Sequence, residues 1–246
     1  MISKRWYVGL ALVLVALSFV TYLLHYLIFE DLHHILIYAV GDLAFVFIEV
    51  LLVTLIIHEL LQRRERAAKM GKLNMVIGAF YSEIGLSLIR MINEMQCEPE
   101  VVCRDVKVKK DWTHEDFART VEGLRIRKGV VKLEPIGLQR MKDYLSQRRD
   151  FLLRLMENPN LLEHERFTEL LLAVFHLTDE LMERRSFDSL PQTDLAHLGG
   201  DAQRAYAQLI VEWMFYLEYL QRTYPYLFSL AIRENPLDAD ASPIVT

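Results

Sequence analysis

The run GDLAFVFIEVLLVTLIIHEL at residues 41–60 limits what this chain can fold into more than any other stretch. As a helix rising 1.5 Å per residue it matches the ~30 Å hydrocarbon core of a bilayer. A surface helix of a water-soluble domain keeps one polar stripe for solvent, and this run has no such stripe before His58 and Glu59. Its two interruptions are Asp42 and Glu49, seven residues apart and therefore on one helical face. An acid near the centre of a bilayer costs at least about 2.5–3.5 kcal/mol, so each needs a partner, a wet cavity or a purpose.

A second apolar run at residues 6–29 precedes it, behind Lys4 and Arg5. Ala16-Leu17-Ser18 has the small-x-small look of a signal-peptidase site, but the apolar run continues about ten residues beyond it, too far for an ordinary h-region. The expectation is a retained span, giving a hairpin with spans at about 6–29 and 36–61. Basic residues lie before the first span and after the second (Arg63, Arg64, Arg66, Lys69, Lys72), and the short connection Glu30, Asp31, Leu32, His33, His34 has no Lys or Arg. The positive-inside rule then puts both termini in the cytoplasm and that connection outside the cell membrane. Aligned antiparallel with Trp6 level with Leu61, the spans set Ser18 beside Glu49 and His25 beside Asp42. Two uses of this polar face follow: glue inside one hairpin, or rings of carboxylates around the axis of a homo-oligomer, which select cations.

The rest of the chain reads as helical, so the fold class is all-α, with domains at 1–66 (hairpin), 67–96 (juxtamembrane helix), 97–234 (cytoplasmic helical domain) and 235–246 (disordered tail). Gly71 marks a break before a helix at 72–95, and Gly71, Gly78, Ser82 and Gly85 recur at spacings that let another helix approach closely, an expected oligomer seam. Thr113-His114-Glu115-Asp116 has the form of a capping box opening a helix. Residues 106–109 and 125–132 are candidates for one short β-hairpin. Helices are expected at 138–156, 161–184 and 201–223, the last opening after the Gly199-Gly200 pair, and a short one follows Pro225. The aromatic-rich segment 213–228 exceeds one core stripe, which suggests burial against a neighbouring subunit.

The 33 acidic residues outnumber the 28 Lys and Arg, giving a net charge of −5 and no case for nucleic acid. No phosphate-binding glycine loop, HExxH, GxSxG or EF-hand pattern occurs, and no cofactor or enzymatic activity is expected. Cys97 and Cys103 match no zinc spacing and read as reduced thiols. His25, Glu30, Asp31, His33 and His34 gather at the outer mouth, where an ordinary polar loop is the plainer reading. His164, Glu169, His176 and Glu180 lack the Glu-x-x-His spacing of di-iron bundles, and His176 with Glu180 reads as a solvated ion pair. The expected function is an oligomeric membrane protein, either a cation-conducting or ion-sensing channel built on Asp42 and Glu49 or an anchored scaffold whose cytoplasmic helices bind a partner protein. Lipid and further copies of the chain are the other expected partners.

Overall fold

The computed structural model describes residues 4–96, 106–126, 131, 133–159, 161, 164–238 and 241–244. Cys97 and Cys103 lie outside these. Helices account for the fold, and the chain divides into two compact units, Met1–Arg66 and Ala67–Thr246.

The first unit contains α1 (Lys4–Phe29) and the first part of α2 (Leu32–Phe80). Both are long and apolar enough to cross a membrane by length and composition, with mean hydropathy reaching 2.2 in α1 and 2.5 in the stretch from Leu32 onward. Their side chains are exposed on every face: Phe19 is 70% exposed, Phe47 72% and Val40 67%. The connection is only two residues long. Glu30 takes a left-handed φ of 49°, and Asp31 caps α2 by accepting a hydrogen bond from the His34 backbone N–H at 3.0 Å. That bond holds the Asp31 carboxyl below its usual pKa. His33 and His34 therefore sit in the first turn of α2 and not in a loop.

In the second unit α2 runs through Gly71 without a break and ends in a π-helical turn, Tyr81–Gly85, that leads directly into α3 (Leu86–Glu94). A π-turn inserts one residue and disturbs the backbone ladder. Here the Glu83 carbonyl accepts from Tyr144 Oη at 2.7 Å and Arg148 Nε at 2.9 Å, so side chains from elsewhere in the fold hold the irregular turn. Then follow α4 (His114–Ile126), α5 (Pro135–Ser146), α6 (Arg149–Met156), α7 (Glu165–Glu183), α8 (Gln192–Thr223) and α9 (Pro225–Arg233). The capping box forms as its spacing implies: the Thr113 N–H donates to Asp116 Oδ2 and the Asp116 N–H to Thr113 Oγ1. Helix α8 is the axis of the unit, packed by α3, α4, α7 and α9.

Several expectations change. The helix drawn over 138–156 is two helices, because Arg148 leaves helical geometry at φ −110°, ψ 3°, while its guanidinium lies over the Tyr144 ring at 3.8 Å and bonds Glu83 O. The Gly199-Gly200 pair does not open α8, which already starts at Gln192; burial of Leu198, Ala202 and Ala205 outweighs the roughly 1 kcal/mol that each helical glycine costs. Of the expected β-hairpin, residues 127–130 and 132 lie outside the described residues and residues 106–109 form no strand; Val131 instead bridges Gln96. The tail begins packed, since Leu237 is buried and Asn235 Nδ2 donates to Val106 O at 3.0 Å.

The oligomer seam is also corrected. Gly78 faces Tyr216 of α8 and Gly85 faces the Tyr81 and Phe80 rings, so both close approaches are taken up within the chain. A Cβ at Gly71 would meet open space, and Ser82 is exposed. Most of the aromatic excess is absorbed internally too. Trp213 and Phe228 are buried, Tyr216 stacks on Tyr81 at 5.8 Å, and the Arg166 guanidinium covers Phe215 at 3.7 Å.

A Cβ at residue 78 would collide with Tyr216 Oη and crowd its Cζ at 3.2 Å. Overpacking of this kind costs about 1–3 kcal/mol, against about 1 kcal/mol gained from alanine's helix propensity. Gly78→Ala should therefore lower the thermal midpoint, and adding Tyr216→Phe should recover much of the loss. Equal midpoints for the single and double variants would show that this contact is not the cause.

Candidate functional site

The densest group of ionisable side chains lies where α7 meets the first turns of α8. His176 and Glu180 are four apart on α7, and His197 and Asp201 four apart on α8, so each helix presents an imidazole and a carboxylate on one face. His176, Glu180 and His197 each bring a ligand-type atom within 4.8 Å of the others. Asp201 Oδ2 stands 3.4 Å from His176 Nε2 and 3.4 Å from His197 Nε2. Glu180 completes the ring, with Oε1 3.9 Å from His176 and Oε2 3.6 Å from His197.

Arginines hold both acids from behind. Arg184 donates from Nη1 to Glu180 Oε2 at 2.8 Å and grips Asp194 on α8 with Nε at 2.8 Å and Nη2 at 2.6 Å, fixing the register of the two helices across their connection. That hydrogen bond keeps the Glu180 carboxyl below its usual pKa, with the positive charge of Arg184 and the nearby histidines adding to the effect. Arg204 pairs with Asp201 Oδ1 at 3.1 Å. Asp201 is 3% exposed, yet its Oδ2 has no hydrogen-bond partner among the described residues. Both histidine side chains are about half exposed, so solvent reaches the cluster from their side.

A second group surrounds Glu212, 3% exposed on α8. It borders a cavity of about 250 Å³ whose lining includes Leu124, Arg166, Gln208 and Val211. Glu212 Oε2 is 3.3 Å from Arg166 Nε, and Oε1 is 3.8 Å from His164 Nε2. Neither Glu212 Oε2 nor Gln208 Oε1 finds a hydrogen bond among the described residues. Burial pushes the Glu212 carboxyl up to about 7 against the opposing pull of Arg166. His164 caps α7, its Nδ1 accepting from the Phe167 N–H at 3.1 Å, and burial pushes its pKa down.

The residues singled out in the apolar runs come together only in part. His25 stacks with His34 at 6.2 Å and 8°, eight residues before Asp42, because the two-residue connection brings an earlier part of α2 level with it. The expected ladder of Ser18 with Glu49 and His25 with Asp42 does not form. Ser18, Asp42 and Glu49 are exposed, and among the described residues neither acid has a hydrogen bond or ion pair. At the connection, Asp31 serves as a cap and His34 packs at 4.7 Å on Tyr38, while Glu30 and His33 stay exposed. Sequence reasoning passed over His197, Asp201 and Glu212. The first two had a signal: His-x-x-x-acid occurs twice, at 176/180 and 197/201, on consecutive helices. Glu212 had none, since a lone acid in an apolar helix is normally solvated.

Residues 69–233 match the family model described as the C-terminal helical domain of the uncharacterized protein MJ1433, and residues 2–61 match its N-terminal helical domain. The chain is 45% identical over 237 residues to the uncharacterized protein MJ1433 of Methanocaldococcus jannaschii, covering 96% of this chain and 95% of that one. No solved structure matches the chain.

The raised pKa of Glu212 predicts a pH dependence. The folded state keeps this proton up to about pH 7, whereas an unfolded glutamate releases it near 4.5. Stability from this group is therefore complete below about pH 4.5 and lost as the pH rises through about 7, a change on the order of 3 kcal/mol. The difference in thermal midpoint between Glu212→Gln and the wild type should shift in favour of the variant between pH 5 and pH 8. Parallel pH profiles for the two proteins would contradict it.

Proposed function

We propose that this chain, which belongs to the MJ1433 family, is an integral membrane protein that crosses the bilayer twice and assembles with copies of itself around an axis lined by Asp42 and Glu49, through which cations pass. One observation carries this reading: both acids are exposed on α2, and among the described residues nothing in the chain partners them. Charged acids facing lipid each cost several kcal/mol. Neighbouring copies of α2 relieve that cost by bringing the same face to a shared, hydrated axis, and rings of carboxylates there favour cations. The exposed apolar faces of α1 and the first part of α2 favour lipid as their surroundings. The basic residues after the second span favour the cytoplasm for both ends.

A second reading is an anchored scaffold or signalling module. It is favoured by the exposed apolar side chains of Tyr226, Leu227 and Leu230 on α9, which suit a protein partner.

Liposome flux separates the two. Purified full-length protein in vesicles loaded with a cation-sensitive dye should conduct above protein-free vesicles. Glu49→Gln, which keeps shape and hydrogen-bonding capacity, should reduce the flux severalfold and leave the cross-linked oligomer intact. Absence of flux from a properly inserted oligomer would leave the anchored module as the reading.

A further inference from the structure

We propose that His176, Glu180, His197 and Asp201 form a binding site for a divalent transition-metal ion, Zn²⁺ by preference, clamping α7 to α8. Four observations carry it.

The donor set is of the right kind. Two imidazole nitrogens with carboxylate oxygens suit Zn²⁺ and its first-row neighbours, whereas Mg²⁺ and Ca²⁺ prefer oxygen alone. The separations come near those of a site, with His176, Glu180 and His197 mutually within 4.8 Å and Asp201 beside both imidazoles. Ligands 2.0–2.1 Å from a tetrahedral ion stand about 3.3–3.4 Å apart. Both imidazoles lie 3.4 Å from Asp201 Oδ2, and the Glu180 contacts are 3.6 and 3.9 Å. A charge-assisted hydrogen bond would draw such pairs to about 2.7–2.9 Å.

Third, a buried acceptor is left over. Asp201 is 3% exposed, and its Oδ2 accepts no hydrogen bond among the described residues although two imidazole nitrogens stand around it. Leaving a buried carboxylate oxygen without a hydrogen bond is costly, and an ion between these atoms removes that cost. Finally, the surroundings match those of a metal site. Arg184 holds Glu180 and Arg204 holds Asp201 Oδ1, so each acid is oriented by a guanidinium on one oxygen. The half-exposed histidines leave a route of entry.

The ion ties the end of α7 to the start of α8 next to the segment linking them, so occupancy stabilises that pairing. The site rests on the helical domain alone and is independent of the membrane reading: loss of metal binding leaves the flux prediction standing, and absence of flux leaves the metal site standing.

The test uses full-length protein in mild detergent with Cys97→Ser and Cys103→Ser, stripped with EDTA, so that thiols contribute nothing. Calorimetric titration with Zn²⁺ should show one ion per chain and a raised thermal midpoint, with no response to Mg²⁺. Co²⁺ should give the intense visible bands of a four-coordinate ion. His176→Ala and His197→Ala, both at half-exposed positions, should each weaken binding by at least about tenfold. Asp201→Asn, which keeps the shape of the side chain, should do the same. Failure of the folded wild type to bind Zn²⁺ stoichiometrically would overturn the proposal, as would undiminished binding in both histidine variants.

Discussion

Apolar side chains on every face of α1 and of the first part of α2 govern how this protein can exist. Water does not tolerate two such helices uncovered, and no described residue buries their apolar side chains. The proposed function gives them a lipid surround and copies of the same helices. The unit Ala67–Thr246 follows different rules. Its core is closed by side chains from α2, α3 and α4 to α9, and the buried polar atoms left without a hydrogen bond among its described residues include Asp201 Oδ2 and Glu212 Oε2 of the two ionisable clusters.

Within that second unit the joining element is an aromatic cluster. Phe80 meets Phe167 of α7 edge-on at 5.4 Å, and Tyr81 lies against Trp213 and Tyr216 of α8 at 4.8 and 5.8 Å. Aromatic pairs in these geometries add about 0.5–1.5 kcal/mol each beyond area burial. Tyr81 also donates to Leu209 O at 2.7 Å, so its hydroxyl is satisfied inside the core. Gly78 allows the approach of Tyr216, and the π-turn begins at Tyr81 itself. The same α7–α8 pairing carries the histidine–carboxylate cluster toward its other end, where Arg184 sets the register. Packing and site therefore depend on one helix pair.

The sequence made some of this legible. The two apolar runs, the all-helical class, the Thr113–Asp116 capping box and the bend at Pro225 follow from local rules that tertiary contacts do not override. The misreadings came where such contacts decide. Gly71 and the Gly199-Gly200 pair look like breaks, but flanking residues bury enough surface to carry the helix through. The break at Arg148 has no proline or glycine to announce it; it exists because a guanidinium reaches the Glu83 carbonyl on another helix. The metal-type cluster was half visible. His176 and Glu180 are a plain i, i+4 pair in isolation, and become more only when α8 places His197 and Asp201 beside them. The small-residue seam correctly signals close approach at Gly78, but sequence spacing does not say whether the approaching side chain belongs to the same chain.

The central claim is that residues 6–61 cross a bilayer twice and leave the helical unit on the cytoplasmic side. Side-specific thiol labelling tests it most directly, using single cysteines at Glu30→Cys and Gln147→Cys in a background with Cys97→Ser and Cys103→Ser. A membrane-impermeant reagent applied to intact cells should label residue 30, and should reach residue 147 only after the membrane is opened. Labelling of residue 147 from outside, or recovery of the protein from the soluble fraction, would contradict the account.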